Sequence, residues 1–195
     1  DSPTNLSTWG ERLIRSQVKC KAITPTDTCI PTNDVMQESI RKMMLALGPM
    51  YLLRHPGDSF LPRRFSKMVE QKNLDLLMIG MSDGGALSMW LNRQFPHFKL
   101  DIVEPDGGLV RAARAYLGFQ ERDGINLAVD EPHQYLRRRV LTPKKYHGIF
   151  VDMLDDNGNI PLNLCKLETL TNLRESMNDR AVAIVRVPNH DERRM

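Results

Sequence analysis

The sequence predicts an α/β domain built on a parallel sheet, and three observations carry the prediction. Short apolar runs at 74–80, 99–103, 125–129, 148–151 and 181–187 alternate with helix-like stretches at 86–94, 107–117, 131–140 and 162–177. That alternation is the mark of βαβ units whose strands are covered on both faces. The first run passes directly into a glycine turn, Gly80 to Gly85, with a helix start at Ala86. The later runs end in acidic residues: Glu104 to Asp106, Asp130-Glu131, and Asp152 to Asp155. In a doubly wound sheet these ends share one edge, where ligands bind. A purely structural sheet has no need of a carboxylate at every exit.

The chain has 195 residues, enough for one domain with a proper core and a small appendage. The expected division is an N-terminal arm and helix over 1–50 and the α/β domain over 51–195. Net charge is only +3, so no overall electrostatic case exists for a nucleic-acid partner. One basic cluster stands out, Arg137, Arg138, Arg139, Lys144 and Lys145. It reads either as a docking point for an acidic partner or as a solvated helix end. No apolar run reaches the roughly 18–20 residues that span a bilayer, so no membrane partner is expected. The chain starts at Asp1, which reads as a processed piece. Cys20, Cys29 and Cys165 form no metal pattern. Cysteine usage favours a reducing, cytoplasmic setting. A Cys20–Cys29 loop and the Asn5-Leu6-Ser7 sequon are the features that would suit a secretory lumen instead.

Taken in order, 1–32 is rich in Thr, Pro, Ser and Asn around one apolar cluster at Trp9, Leu13 and Ile14, and reads as an arm. No convincing strand precedes Leu74. A helix capped near Asn33 or Asp34 places Met36, Ile40, Met43, Met44 and Leu47 at helical spacing and is expected to stop at Gly48-Pro49. Its methionines read as core filling. Arg54 to Asp58 is a turn, and Pro62 opens a short helix through Phe65, Met68 and Val69. From Leu74 the regular strand–helix alternation takes over.

The candidate site follows from the sheet edge. A strand, glycine turn and helix start present backbone N–H groups and a positive dipole end, so Gly80, Ser82, Asp83, Gly84 and Gly85 read as a nucleotide-cofactor loop. Glu104 follows about 20 residues later, where an acid accepts hydrogen bonds from ribose hydroxyls, with Asp106 beside it. Asp130 and Glu131 end the third strand, where Asp130 suits an adenine amino group. Asp152 and Asp155 end the fourth and would orient an amine or take its proton; turn caps are their plain alternative. A competing reading takes Gly80-Met81-Ser82-Asp83-Gly84 as a G-x-S-x-G elbow, with Ser82 as nucleophile, Asp152 as acid and His190 as base. Too few residues precede Ser82 for the strands that fold needs first. His97, His133 and His147 lie apart in sequence and make no ligand cluster, so no metal is expected.

The segment FPHFKLDIVEPDGGLVRAARAYLGFQERDGINLAVDEPHQYL resembles the core of the spermidine-synthase-like class I methyltransferases. Within that group it is most similar to the C-terminal domain of the methyltransferases that modify translation elongation factor 1-alpha. The resemblance spans about Leu74 to Val187. It rests on Val103-Glu104-Pro105-Asp106, on Tyr116-Leu117-Gly118-Phe119, and on Asp130 followed by Tyr135-Leu136. The Gly80–Gly85 loop is similar to the glycine loop of aminopropyltransferases.

The resemblance implies a Rossmann-like class I methyltransferase fold using S-adenosylmethionine and releasing S-adenosylhomocysteine. Gly80 to Gly85 would cradle the cofactor, Glu104 would hold its ribose, and Asp130 would sit at the adenine. Asp152 and Asp155 would match a catalytic aspartate pair. A protein amine is the implied methyl acceptor. Aminopropyl transfer is an alternative, disfavoured because the Tyr-Gln pair that binds polyamines is missing upstream. A non-catalytic binding or dimerisation module is another. Met81 and Ser82 stand where the family loop has glycine, and forcing positive φ there costs about 1 kcal/mol or more. The family sheet has seven strands, the last two a hairpin, yet only 188–195 follow the fifth run. That edge is expected to be completed by further chain, the N-terminal arm or a second copy.

Overall fold

The computed structural model describes residues 20–23, 29–31, 38–45, 47–54, 73–81, 84–155 and 157–187. Two short strands, β1 (Cys20–Ile23) and β2 (Cys29–Pro31), pair antiparallel ahead of the main sheet, where the sequence pattern suggested none. Their register sets Cys20 opposite Pro31 and Cys29 opposite Ile23. The register shifts between Cys20 and Ala22, and the side chains of the two cysteines lie outside the described residues.

Next come α1 (Glu38–Met44) and α2 (Leu47–Arg54). The expected stop at Gly48-Pro49 is not a stop, because both residues lie in the first turn of α2. First-turn N–H groups have no intrahelical acceptor, so proline is tolerated there. Position 50 falls inside α2, and Met50 and Tyr51 are buried in the core. The rest of the expected arm over 1–32 and the Pro62 helix lie outside the described residues.

The main sheet contains β3 (Asp75–Ile79), β4 (Lys99–Glu104), β5 (Ile125–Val129), β6 (Tyr146–Val151) and β7 (Met177–Val185). Its order is β5-β4-β3-β6-β7, all parallel. The helices between them are α3 (Ala86–Gln94), α4 (Gly107–Tyr116), α5 (Pro132–Arg139), α6 (Leu162–Cys165) and α7 (Leu167–Glu175). The expected single helix over 162–177 breaks at Lys166, which is extended. The last strand begins at Met177 rather than 181. Among the described residues, β7 is an edge.

Strand alternation sorts the core into two layers. Leu76, Met78, Leu100, Ile102 and Phe150 pack with Met50, Tyr51, Leu87, Leu91, Val110 and Ala113 from α2, α3 and α4. Leu77, Ile79, Val103, Ile149 and Val151 face the other way, onto Leu136 of α5 and Leu164 of α6.

One charged residue enters the second layer. Asp101, in the middle of β4, is 5% exposed and sits opposite Leu77. Its Oδ2 accepts from Tyr146 Oη at 2.6 Å, Arg139 Nη2 at 2.7 Å and Lys144 Nζ at 2.8 Å, and its Oδ1 from Asn126 Nδ2 at 3.1 Å. The basic cluster seen in the sequence is therefore divided. Arg139 and Lys144 turn inward to Asp101, and Lys145 Nζ donates to the Glu175 carbonyl at 2.6 Å. Arg137 and Arg138 face outward.

Candidate functional site at the carboxyl edge of the sheet

The ends of the strands bring the candidate residues to one edge. Ladder hydrogen bonds extend one residue past each strand: Gly80 N–H to Val103 O at 2.8 Å, Asp152 N–H to Ile79 O at 2.8 Å, and Arg186 N–H to Val151 O at 2.9 Å. Register thus sets Gly80, Glu104, Asp152 and Arg186 side by side, close to the sheet's topological switch between β3 and β6.

Gly80 has φ +93°, and a Cβ built there falls onto the backbone carbonyl of Asp152. This glycine is required by the close approach of two site-bearing segments. Gly80→Ala is expected to destabilise the fold by about 3 kcal/mol, combining positive φ with backbone overpacking. Urea unfolding would measure the loss, and a change under about 1 kcal/mol would contradict the packing described. Gly84 and Gly85 abut Leu117 and Phe119. The glycine turn and the Tyr116–Phe119 motif are thus two halves of one contact.

Met81 is fully buried and packs in the first core layer with Leu87 and Phe119. Its bulk lies in the core, while its N–H donates to Glu104 Oε2 at 2.7 Å. Ser82 and Asp83, and with them the elbow nucleophile, lie outside the described residues, as does His190.

Glu104 ends β4 and is 5% exposed. The Asp106 N–H donates to its Oε1 at 2.9 Å, so each carboxylate oxygen is held by one backbone N–H and keeps a free lone pair. Burial, the largest influence, pushes the Glu104 carboxyl above its ordinary range. The Asp106 and Met81 N–H groups pull it back, and the charges of Asp106 and Asp152 raise it further. Glu104, Asp106, Leu109, Asp152 and Met153 line a cavity of about 100 Å³.

Asp106 also caps α4, its Oδ1 accepting from the N–H groups of Gly108 at 2.7 Å and Leu109 at 3.2 Å. Asp152 is 2% exposed and its Oδ1 pairs with Arg186 Nη1 at 3.1 Å. No periodicity marks Arg186 in the sequence; the signal available was a basic residue inside the last apolar run. Asp130 and Glu131 follow β5, and the Asp130 N–H donates to the Glu104 carbonyl at 3.2 Å, but neither residue lines this cavity. Asp130 accepts the Glu131 N–H on Oδ1 at 2.9 Å and pairs with Arg138 through Oδ2. Glu131 is the N-cap of α5 without capping it, half exposed near His133. Asp155 does not line the cavity. Its Oδ1 accepts from Asn157 N–H at 2.9 Å and Asn159 N–H at 2.8 Å, which is the turn-cap alternative raised by the sequence.

A five-stranded parallel sheet of this order, with helices between the strands, is the Rossmann-like fold of the class I S-adenosylmethionine-dependent methyltransferases and spermidine synthases. Solved structures share it, two of which follow. Human methyltransferase-like protein 13 in complex with SAH matches with 21% identity and a TM-score of 0.59, over 76% of this chain and 64% of that one. A probable spermidine synthase from Corynebacterium glutamicum matches with 15% identity and a TM-score of 0.53, over 74% of this chain and 46% of that one. The chain therefore spans under two thirds of the length of either. No protein-family profile matches the chain. No curated protein sequence matches it either.

Proposed function

We propose that the chain is an S-adenosylmethionine-dependent methyltransferase acting on a protein amine. One observation carries the reading: a buried carboxylate, Glu104, fixed by two backbone N–H groups at the switch point, beside the carboxylates of Asp106 and Asp152. That lining suits a ligand with hydroxyl donors and a positive centre, as the adenosyl sulfonium has. The cavity of about 100 Å³ is smaller than ligand pockets of roughly 300 Å³ or more, so it receives the ribose end only. Glu104 would accept both ribose hydroxyls, and Asp130 the adenine amino group once Arg138 yields it. The likeness to a protein solved with SAH is consistent with this use of the edge.

Bound S-adenosylmethionine supplies an electrophilic methyl group on sulfur. The chain's own residues supply orientation and an unprotonated acceptor. Asp152 Oδ1 is held by Arg186, which fixes the carboxylate in place to orient the acceptor amine. The Arg186 guanidinium also disfavours a second cation beside it, which favours the neutral amine that attacks.

The same ion pair favours a second reading, a non-catalytic binding module in which Arg186 occupies the place of the amine. Transfer of a radiolabelled methyl group to lysine-bearing protein separates the two. The enzyme reading expects amine-bound label, lost with Asp152→Asn at least about tenfold. Tight cofactor binding with no label on any amine-bearing acceptor would contradict it in favour of the module.

A further inference from the structure

A charged cavity lies away from the sheet edge, between α5 and α7, and measures about 480 Å³. Its lining includes His133, Arg137 and Arg138 from α5 and Lys166, Glu168 and Thr169 from the start of α7. Arg137 and Arg138 are the part of the sequence's basic cluster that Asp101 does not take up. Lys166, at the break between α6 and α7, brings a third permanent cation from the opposite wall.

We propose that this cavity is a binding site for a small phosphorylated anion. Three features converge on it. Three fixed cations from two helices face one space, against a single carboxylate, Glu168, in the same lining. Arg138 is partly neutralised by Asp130, whereas Arg137 and Lys166 have no carboxylate partner among the described residues. The first turn of α7, a nine-residue helix, has no side-chain cap, so its N–H groups and dipole end favour a tetrahedral oxyanion. The Nδ1 atom of His133, at the same wall, makes no hydrogen bond and faces Glu131 Oε2 at 3.8 Å. Thr169 is already committed, its hydroxyl donating to the Asn163 carbonyl at 2.7 Å.

Phosphate is favoured over carboxylate by this chemistry. A dianion matches several converging cations, and guanidinium forks grip phosphate oxygens in pairs. The volume, within the range of small-molecule pockets, admits a phosphate ester of nucleoside size or smaller.

Calorimetric titration of the full chain with inorganic pyrophosphate at fixed ionic strength tests the proposal, with malonate as the carboxylate control. Saturable pyrophosphate binding is expected, weakened about tenfold or more by Arg137→Ser combined with Lys166→Ser. Both residues are exposed, so the variant should fold, and an unchanged melting temperature would verify this. Binding that survives the double substitution would place the anion elsewhere and overturn the proposal. So would no binding, or malonate binding as tightly as pyrophosphate. None of these outcomes depends on the sheet-edge site, which the two substitutions leave intact.

Discussion

Asp101→Ala is expected to destabilise the protein by about 3 kcal/mol, lowering its melting temperature by about 10 °C. The carboxylate is nearly inaccessible, yet Tyr146, Arg139, Lys144 and Asn126 all donate to it. Removing it leaves two cations and a phenol turned toward a core position without an acceptor. The penalty falls short of that for a fully buried pair, because Arg139 and Lys144 keep 21% and 29% side-chain exposure and recover some hydration.

The pH dependence is specific. Burial alone would push the Asp101 carboxyl up, but hydrogen bonds from Lys144, Tyr146 and Asn126 outweigh it and hold it below the ordinary range. A carboxylate depressed in the folded state contributes stability above its unfolded pKa, and that contribution disappears as pH falls through the folded value. The difference between wild type and variant should therefore be full near neutrality and shrink below about pH 4. A melting difference that is independent of pH would contradict the ionic account of this network.

Glu104→Ala is expected to reduce affinity for S-adenosylhomocysteine by at least about a hundredfold, near 3 kcal/mol. It removes both acceptors for the ribose hydroxyls and leaves the Met81 and Asp106 N–H groups without their partner. Ribose binding requires the ionised carboxylate, and burial raises this carboxyl above its usual range. Wild-type affinity should therefore fall on acidification through that raised pKa, and binding on the acid side should release a proton. The same shift makes Glu104 a small stability liability without ligand. Its folded pKa exceeds its unfolded one, so its contribution becomes more favourable as pH falls toward the unfolded value.

The sheet was legible because its signals are local. Helix α3 and strand β5 end where apolar period and turn residues say, and the glycine turn marks the switch point. What sequence could not resolve depends on partners distant in the chain. Arg139 and Lys144 read like Arg137 and Arg138 until Asp101, some 40 residues earlier in sequence, takes the first two inward. Asp155 and Asp152 look alike as a pair; local turn geometry commits one, and Arg186 from the next strand holds the other. Gly48-Pro49 misled for a positional reason, since proline stops a helix interior yet suits a first turn. Of the loop, Met81 proved to be a core residue whose backbone N–H serves the acid beyond it.

The central claim is that Glu104 anchors a ribose at the carboxyl edge of the sheet. Its most direct test is isothermal titration of the wild type and Glu104→Gln with S-adenosylhomocysteine near neutral pH. The substitution keeps the side chain's size and one acceptor oxygen while removing the charge. The account predicts micromolar binding to the wild type and a loss of about tenfold or more in the variant. Equal affinity in the two proteins, or no binding to the wild type, would contradict it.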